Sequence, residues 1–243
     1  MKIKFFFIIF SLFLQCAFAQ GINSDDDAHN VENANLKTDF SDRPNILWIT
    51  TEDHGPHLGA YGDSYAYTPN IDSFAEKALR YDMLWSDAPV CAPARTSIIT
   101  GVYPTSTGSH HMRSEVRLPS FMSTLPTLLR KEGYYTTNNS KEDYNILMDQ
   151  QIWDVSSEEA HYKDREKGQP FFAVFNLEES HEYALRLRTE TPHHNPDLAP
   201  VPPYHPNTPE VRRDWAQYYH GIFRIDKKVG ILMGELEKSG QAD

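Results

Sequence analysis

Continuous apolar runs alternate along the chain with segments in which apolar residues recur at helical spacing. The runs from Asn45 to Thr51 and from Phe171 to Phe175 are rich in β-branched and aromatic residues, as is typical of strands buried in a parallel sheet. The segments from Tyr81 to Trp85 and from Tyr134 to Thr137 predict two more strands.

Helical spacing and terminal signals predict four helices, at residues 69–79, 93–101, 125–131 and 209–238. Thr68 is the expected N-cap of the first helix, and Gly101 and Gly133 are expected to end the second and the third. Strands that alternate with helices predict an α/β fold with a doubly wound, mostly parallel sheet.

Side chains capable of chemistry follow three of the predicted strands. Glu52 and Asp53 come directly after the first strand, and Lys141 and His181 lie past the ends of two later ones. Because ligands of such sheets bind beyond the carboxyl ends of the strands, we expect these side chains to share one site.

Residues 1–19 have the features of a signal peptide: two lysines, a fourteen-residue apolar run, and then Ala17-Phe18-Ala19. As a helix the apolar run reaches only ~21 Å, short of the ~30 Å hydrocarbon core of a bilayer. We therefore expect export to the periplasm or the exterior, without a membrane span. Residues 20–42 are polar and acidic, which predicts a flexible lead-in to a catalytic domain at residues 43–243.

The chain has two cysteines. Cys16 lies in the predicted signal peptide and leaves a lipoprotein signal open, although the bulky Gln15 before it disfavours that alternative. Cleavage after Ala19 leaves Cys91 alone, so that no internal disulfide can form. A lone thiol in an exported protein is either buried and inert or chemically active.

Acidic side chains outnumber basic ones by 34 to 23, which gives a net charge of −11. The two lysines of the predicted signal peptide account for +2 of this, so the remaining chain carries −13. This charge disfavours nucleic acid or an anionic membrane as a partner. An anionic substrate must therefore be held by a local basic pocket or by a metal ion.

The most informative motif is Cys91-Ala92-Pro93-Ala94-Arg95, followed by a run that ends in Thr100-Gly101. It places a thiol at a helix N-terminus, where backbone N–H groups and the helix dipole favour an anion. For the cysteine and proline alone, a small buried cysteine is the structural alternative. The whole run resembles the signature of the formylglycine-dependent (type I) sulfatases of the alkaline phosphatase superfamily, and the resemblance extends over roughly residues 44–240.

The resemblance implies that Cys91 is oxidised to formylglycine by a formylglycine-generating or sulfatase-maturating enzyme that reads this pentapeptide. One hydroxyl of the hydrated aldehyde would attack sulfur and release the alcohol. Loss of the proton from the other hydroxyl would then expel sulfate and restore the aldehyde, without attack of water on the sulfate ester. Arg95 would hold the hydrate and its bound sulfate.

The resemblance also implies a divalent cation, calcium or alternatively magnesium, for which hard carboxylate oxygens are suitable ligands. Glu52 and Asp53 match two acidic metal ligands at the end of the family's opening strand, and the residue formed from Cys91 would be a further metal contact. The family commonly has aspartate at the position of Glu52, so the side chain that carries the carboxylate is one methylene longer here.

Two further catalytic residues follow from the resemblance. Lys141 matches the lysine of a Lys-x-His pair that contacts formylglycine and sulfate, although Asp143 stands here in place of the histidine. His181 matches the histidine that touches sulfate and can protonate the leaving oxygen, a role suited to the pKa of imidazole.

His110, His111 and Arg113 follow the signature helix, where the family builds part of its substrate pocket, and Arg113 could bind a second anionic group on a sugar. The implied substrate is a sulfated glycan, and the stretch from Pro206 to Asp214 is similar to that of sulfamidases, which cleave N-sulfoglucosamine. Two alternatives stay open: a phosphonate or phosphate monoester hydrolase that uses the same aldehyde, and an inactive, truncated module that binds anions.

In the resembled family, a strand after the long helix supplies two further metal ligands, and a second lysine and a smaller subdomain follow it. The present sequence stops at Asp243. We therefore expect it to be the N-terminal part of a sulfatase, incomplete and inactive on its own.

Overall fold

The computed structural model describes residues 43–148, 151–186 and 193–242. The predicted signal peptide at 1–19 and the acidic lead-in at 20–42 lie outside the described residues.

A parallel sheet of four strands forms the centre of the described chain. The strands are β1 (Ile46–Thr51), β2 (Tyr135–Asn139), β3 (Val155–Ser156) and β4 (Phe171–Leu177). Their spatial order is β1-β4-β2-β3, and β4 pairs with β1 on one side and β2 on the other. The predicted α/β fold with a parallel sheet is confirmed.

Five α-helices surround the sheet among the described residues. They are α1 (Pro69–Ala75), α2 (Cys91–Thr100), α3 (Pro104–Thr107), α4 (Leu125–Lys131) and α5 (Pro209–Lys238). The predicted bounds of α4 and α5 are confirmed. Helix α2 begins two residues before the predicted start, since a proline is tolerated anywhere in a first helical turn, and it ends at Gly101 as predicted, where φ is 69°.

Two predictions for residues 68–85 were wrong. The segment from Tyr81 to Trp85 is not a strand: it pairs with none of the described strands, and Leu84 and Trp85 are 80% and 81% exposed. Helix α1 ends at Ala75, and its predicted last apolar residue, Leu79, is 75% exposed. The apolar side chains of Leu79, Leu84 and Trp85 are mostly exposed, and apolar spacing without burial does not produce an element.

Thr68 is the N-cap residue of α1, as predicted, but its side chain makes no capping hydrogen bond. The carboxylate of Asp226, a buried residue of α5, takes that role. Its Oδ1 accepts the N–H of Ile71 at 2.9 Å, and its Oδ2 accepts the side-chain amide of Asn70 at 2.7 Å. Asp226 thus interrupts the apolar face of α5 in order to hold α1.

The alternation of side chains along β4 builds a core on each face of the sheet. Phe172 and Val174 pack with Trp153 on one face, and Phe171, Ala173 and Phe175 pack with Tyr162 and Leu236 on the other. All seven residues of β4 are buried, as expected for a central parallel strand. None of the described helices is long and apolar enough to cross a membrane.

Candidate active site

The carboxyl ends of β1, β2 and β4 bring four predicted site residues together. Glu52 follows β1 and Lys141 follows β2, and the Lys141 Nζ lies 3.1 Å from Glu52 Oε2. His181 follows β4, and its Nδ1 lies 4.0 Å from Asp53 Oδ2. The expected meeting of these side chains at one edge of the sheet is therefore found in the structure.

Cys91 is the first residue of α2 and a partly exposed free thiol. Val90, at the N-cap, has no side-chain acceptor for the first helical N–H groups, and Pro93 has no N–H of its own. The amides of the first turn and the helix dipole therefore favour an anion at this end of α2. Chemistry that develops negative charge beside residue 91 would be stabilised by this position.

Arg95 is buried, and each of its guanidinium nitrogens donates to a protein acceptor. Nε donates to Glu142 O at 2.9 Å, Nη2 to Asn176 Oδ1 at 2.9 Å and to the Lys141 carbonyl, and Nη1 to Glu52 Oε1 at 3.4 Å. In this arrangement Arg95 ties the signature helix to the backbone that carries Lys141. Any hydrogen bond from Arg95 to a hydrated aldehyde would have to use guanidinium N–H groups that are not engaged in these bonds.

Glu52 is the common partner of the two cations. Its side chain is 6% exposed, and the side chains of Arg95 and Lys141 are 8% and 14% exposed. Glu178 lies farther from the lysine, with its Oε2 3.9 Å from Lys141 Nζ. The Glu52 carboxylate is thus paired with two basic groups of this chain.

Asn176, near the end of β4, is a site residue that the sequence analysis missed. Besides Arg95, it binds Thr50 Oγ1 at 2.8 Å, Asn138 Oδ1 at 2.9 Å and Asn139 O at 3.0 Å. It connects the ends of β1, β2 and β4 beneath the cluster. The signal in the sequence is an amide inside an otherwise apolar strand, since a buried polar group requires hydrogen-bond partners.

The orientation of His181 follows from a local hydrogen bond. The N–H of Tyr183 donates to His181 Nδ1 at 3.3 Å, so the neutral ring in this arrangement carries its proton on Nε2. Asp53 is fixed beside it, because Asp53 Oδ2 accepts the N–H of Glu182 at 3.0 Å. The Nε2–H of His181 is therefore the group available for donation to a ligand.

The loop that carries His110, His111 and Arg113 is joined to the Lys141 segment. Both histidines are exposed, and Arg113 forms an ion pair with Asp143, the residue that replaces the family's histidine. Asn145, buried and also missed from sequence, donates to the carbonyls of Ser109 and His111 at 2.8 and 2.7 Å and accepts the N–H of Arg113 at 2.9 Å. The loop is thus fixed by Asn145, four residues after Lys141, and the Arg113 side chain pairs with Asp143, two residues after Lys141.

The donor set suits part of a site for a hard divalent cation. Glu52 and Asp53 offer carboxylate oxygens at adjacent positions, which calcium and magnesium favour. Calcium takes about 6–8 oxygens, more than two carboxylates supply. Among the described residues, no group of three or more His, Cys, Asp or Glu side chains is arranged to hold a metal ion.

Comparison with known proteins identifies the family. The sequence model of the family described as Sulfatase matches residues 44–145. An ulvan-active sulfatase from Formosa agariphila is 36% identical over 247 aligned positions, which cover 82% of this chain. The chain belongs to the sulfatase family. Human N-sulphoglucosamine sulphohydrolase is a further related sulfatase, 25% identical over 81% of the chain.

This sulfatase chain spans 41% of the length of the Formosa agariphila protein and 47% of the human one. Among solved structures, the phosphonate monoester hydrolase from Silicibacter pomeroyi has the same fold, with a TM-score of 0.67 over 82% of this chain and 60% of its own. Its sequence identity is 16%, so that similarity supports the fold alone.

Proposed function

We propose that this chain carries part of the active site of an exported sulfatase that hydrolyses sulfuric esters of glycans after conversion of Cys91 to formylglycine. The observation that carries the proposal is the position of Cys91: it begins α2 within an intact Cys-x-Pro-x-Arg run. Arg95 of that run binds Glu52 and the backbone of Lys141 at the strand ends. The identity to an ulvan-active sulfatase supports the same conclusion.

The proposed reaction is a covalent one. If residue 91 is formylglycine, its hydrate would supply a hydroxyl nucleophile for sulfur, with the proton of that hydroxyl lost and the departing alcohol oxygen protonated. The second hydroxyl would allow sulfate to leave by re-forming the aldehyde, which water would then rehydrate.

The surrounding side chains have roles consistent with their geometry. Lys141 and the N-terminus of α2 provide positive potential for the sulfate oxygens. His181, when its ring is protonated, would donate its Nε2–H to the departing alcohol oxygen. Arg95 holds the Lys141 segment in place through its hydrogen bonds to that backbone. A contact of Arg95 with the hydrate would be made in addition to those hydrogen bonds.

A divalent cation, calcium or magnesium, is proposed as the cofactor. Glu52 and Asp53 would contribute two of its ligands, together with the residue formed from Cys91. When bound, such an ion draws electron density from the sulfate oxygens and makes sulfur more electrophilic.

The proposed substrate is a sulfated carbohydrate, because the related proteins include an enzyme described as active on ulvan and an N-sulphoglucosamine sulphohydrolase. His110, His111 and Arg113 are the proposed substrate contacts on the loop joined to Lys141. The proposed protein partner is a formylglycine-generating or sulfatase-maturating enzyme, and the signal-like residues 1–19 support export to the periplasm or the exterior.

A phosphonate or phosphate monoester hydrolase that uses the same aldehyde is the second candidate, since the N-terminus of α2 at Cys91 would stabilise the anion of a phosphorus ester as well. Both candidates can be tested on the full-length protein that contains this chain, co-expressed with a maturation enzyme. We expect release of alcohol from 4-nitrophenyl sulfate faster than from 4-nitrophenyl phenylphosphonate, and none from either with Cys91→Ala. Faster cleavage of the phosphonate would favour the second candidate. Equal rates for wild type and Cys91→Ala would leave an inactive anion-binding module.

A further inference from the structure

The first helical turns of α5 contact the acidic turn after β1. The Tyr218 hydroxyl donates to the carbonyl oxygen of Asp53 at 3.2 Å and accepts the N–H of Gly55 at 3.2 Å. One side chain from a distant helix thus bridges both sides of the turn that carries the Asp53 carboxylate.

The turn needs such support because of its backbone. Asp53 has a φ of 45°, in the left-handed region that non-glycine residues seldom adopt. The Asp53 side chain is 46% exposed, so packing does little to hold it. A conformation of this kind persists where surrounding bonds determine it, and such residues concentrate at functional sites.

The hydroxyl of Tyr218 is suited to this bridge. A phenolic hydroxyl can donate one hydrogen bond and accept another, and this one does both at the turn. The ring is held edge-on by its neighbours, with centroids 5.6 Å from Trp215, 5.5 Å from His57 and 5.8 Å from Tyr219. The Tyr218 ring is therefore fixed, and its hydroxyl oxygen bonds to the Asp53 turn, whose backbone conformation is unfavourable.

We propose that Tyr218 is a positioning residue of the active site: it holds the Asp53 turn so that the Asp53 carboxylate faces the cation and His181. This inference rests on the proposed function of Asp53 as a metal ligand. Tyr218 acts through the backbone of Asp53 and does not itself touch the substrate.

The neighbouring tyrosine offers a matched control. The Tyr219 hydroxyl binds Asp63 Oδ2 at 2.5 Å and His57 Nδ1 at 2.9 Å, and neither bond reaches residues 53–55. Tyr218→Phe and Tyr219→Phe each remove one hydroxyl from adjacent positions of one helix. The two substitutions should affect the Asp53 turn differently, although each should lower the unfolding temperature of the protein.

The test measures amide hydrogen exchange at Gly55 and calcium affinity by titration calorimetry in the matured full-length protein. We expect Tyr218→Phe to speed exchange at Gly55 and to weaken calcium binding about 5- to 30-fold, the effect of losing one or two hydrogen bonds. Tyr219→Phe keeps both Tyr218 bonds to the turn and should change both quantities much less than Tyr218→Phe does.

Unchanged exchange, or faster exchange with unchanged calcium affinity, would overturn the role of Tyr218. Equal weakening of calcium binding by both variants would do the same, because it would report a general loss of stability. A wild-type protein that binds calcium but releases no sulfate would refute the proposed function, while the exchange and affinity results would still decide the role of Tyr218.

Discussion

Replacement of Glu52 by glutamine should destabilise the protein, because it leaves two largely buried cations without their carboxylate. Lys141 Nζ and Arg95 Nη1 lie 3.1 and 3.4 Å from the two Glu52 oxygens. Removing one partner of a buried ion pair costs about 3–5 kcal/mol. We expect the lower end, about 3 kcal/mol, because Arg95 keeps its bonds to carbonyl groups and to Asn176.

The assay is thermal and urea unfolding, followed by circular dichroism at neutral pH in the presence of EDTA so that no bound cation contributes. A loss of about 3 kcal/mol corresponds to an unfolding temperature about 6–12 °C lower for a domain of this size. Asp53→Asn is the matched control: its side chain is 46% exposed, and an amide oxygen can still accept the N–H of Glu182, so a change below about 1 kcal/mol is expected. A Glu52→Gln protein as stable as Asp53→Asn would refute the reasoning.

Two further predictions concern histidines. His181→Ala should slow hydrolysis of esters with poor leaving groups by about 10²–10⁴-fold and have little effect on activated aryl sulfates, and an equal loss on both substrate types would leave His181 as a binding residue only. Burial and the nearby His193 and His220 lower the pKa of His194 to about 4 from 6.5, so stability present above pH 6.5 is lost as pH falls towards 4. In urea titrations, His194→Gln should lose about 2 kcal/mol less stability than wild type between pH 7 and 5, and an unchanged pH slope would contradict this assignment.

Local sequence patterns were sufficient for most of the fold. The strand at Ile46–Thr51 and the buried strand at Phe171–Leu177 are continuous apolar runs, and the long helix Pro209–Lys238 has its own proline start and an apolar stripe. Each of these signals lies within the element that it predicts. The segment from Tyr81 to Trp85 has an equally apolar pattern and forms no strand, because pairing depends on neighbours distant in sequence.

The sequence predicted where some residues of the candidate site lie, but not the hydrogen bonds that connect them. The placement of Glu52 and Lys141 followed from their positions at strand ends, since parallel strands bring those ends together. The bonds of Asn145 and Asn176 could not be foreseen, because their partners lie on other segments of the chain. Tyr218 was missed for the same reason: its hydroxyl acts on a turn 165 residues away in sequence.

The chemical state of residue 91 tests the central claim most directly. The chain should be co-expressed with a maturation enzyme, digested, and analysed by mass spectrometry of the peptide that contains Cys91, with a hydrazide probe to trap an aldehyde. The account predicts loss of the thiol sulfur and a hydrazide adduct at position 91 in the wild type, and no adduct with Cys91→Ala or with Arg95→Ala, which keeps the thiol but breaks the motif. An intact cysteine in the wild-type peptide, labelled no better than Cys91→Ala, would contradict it.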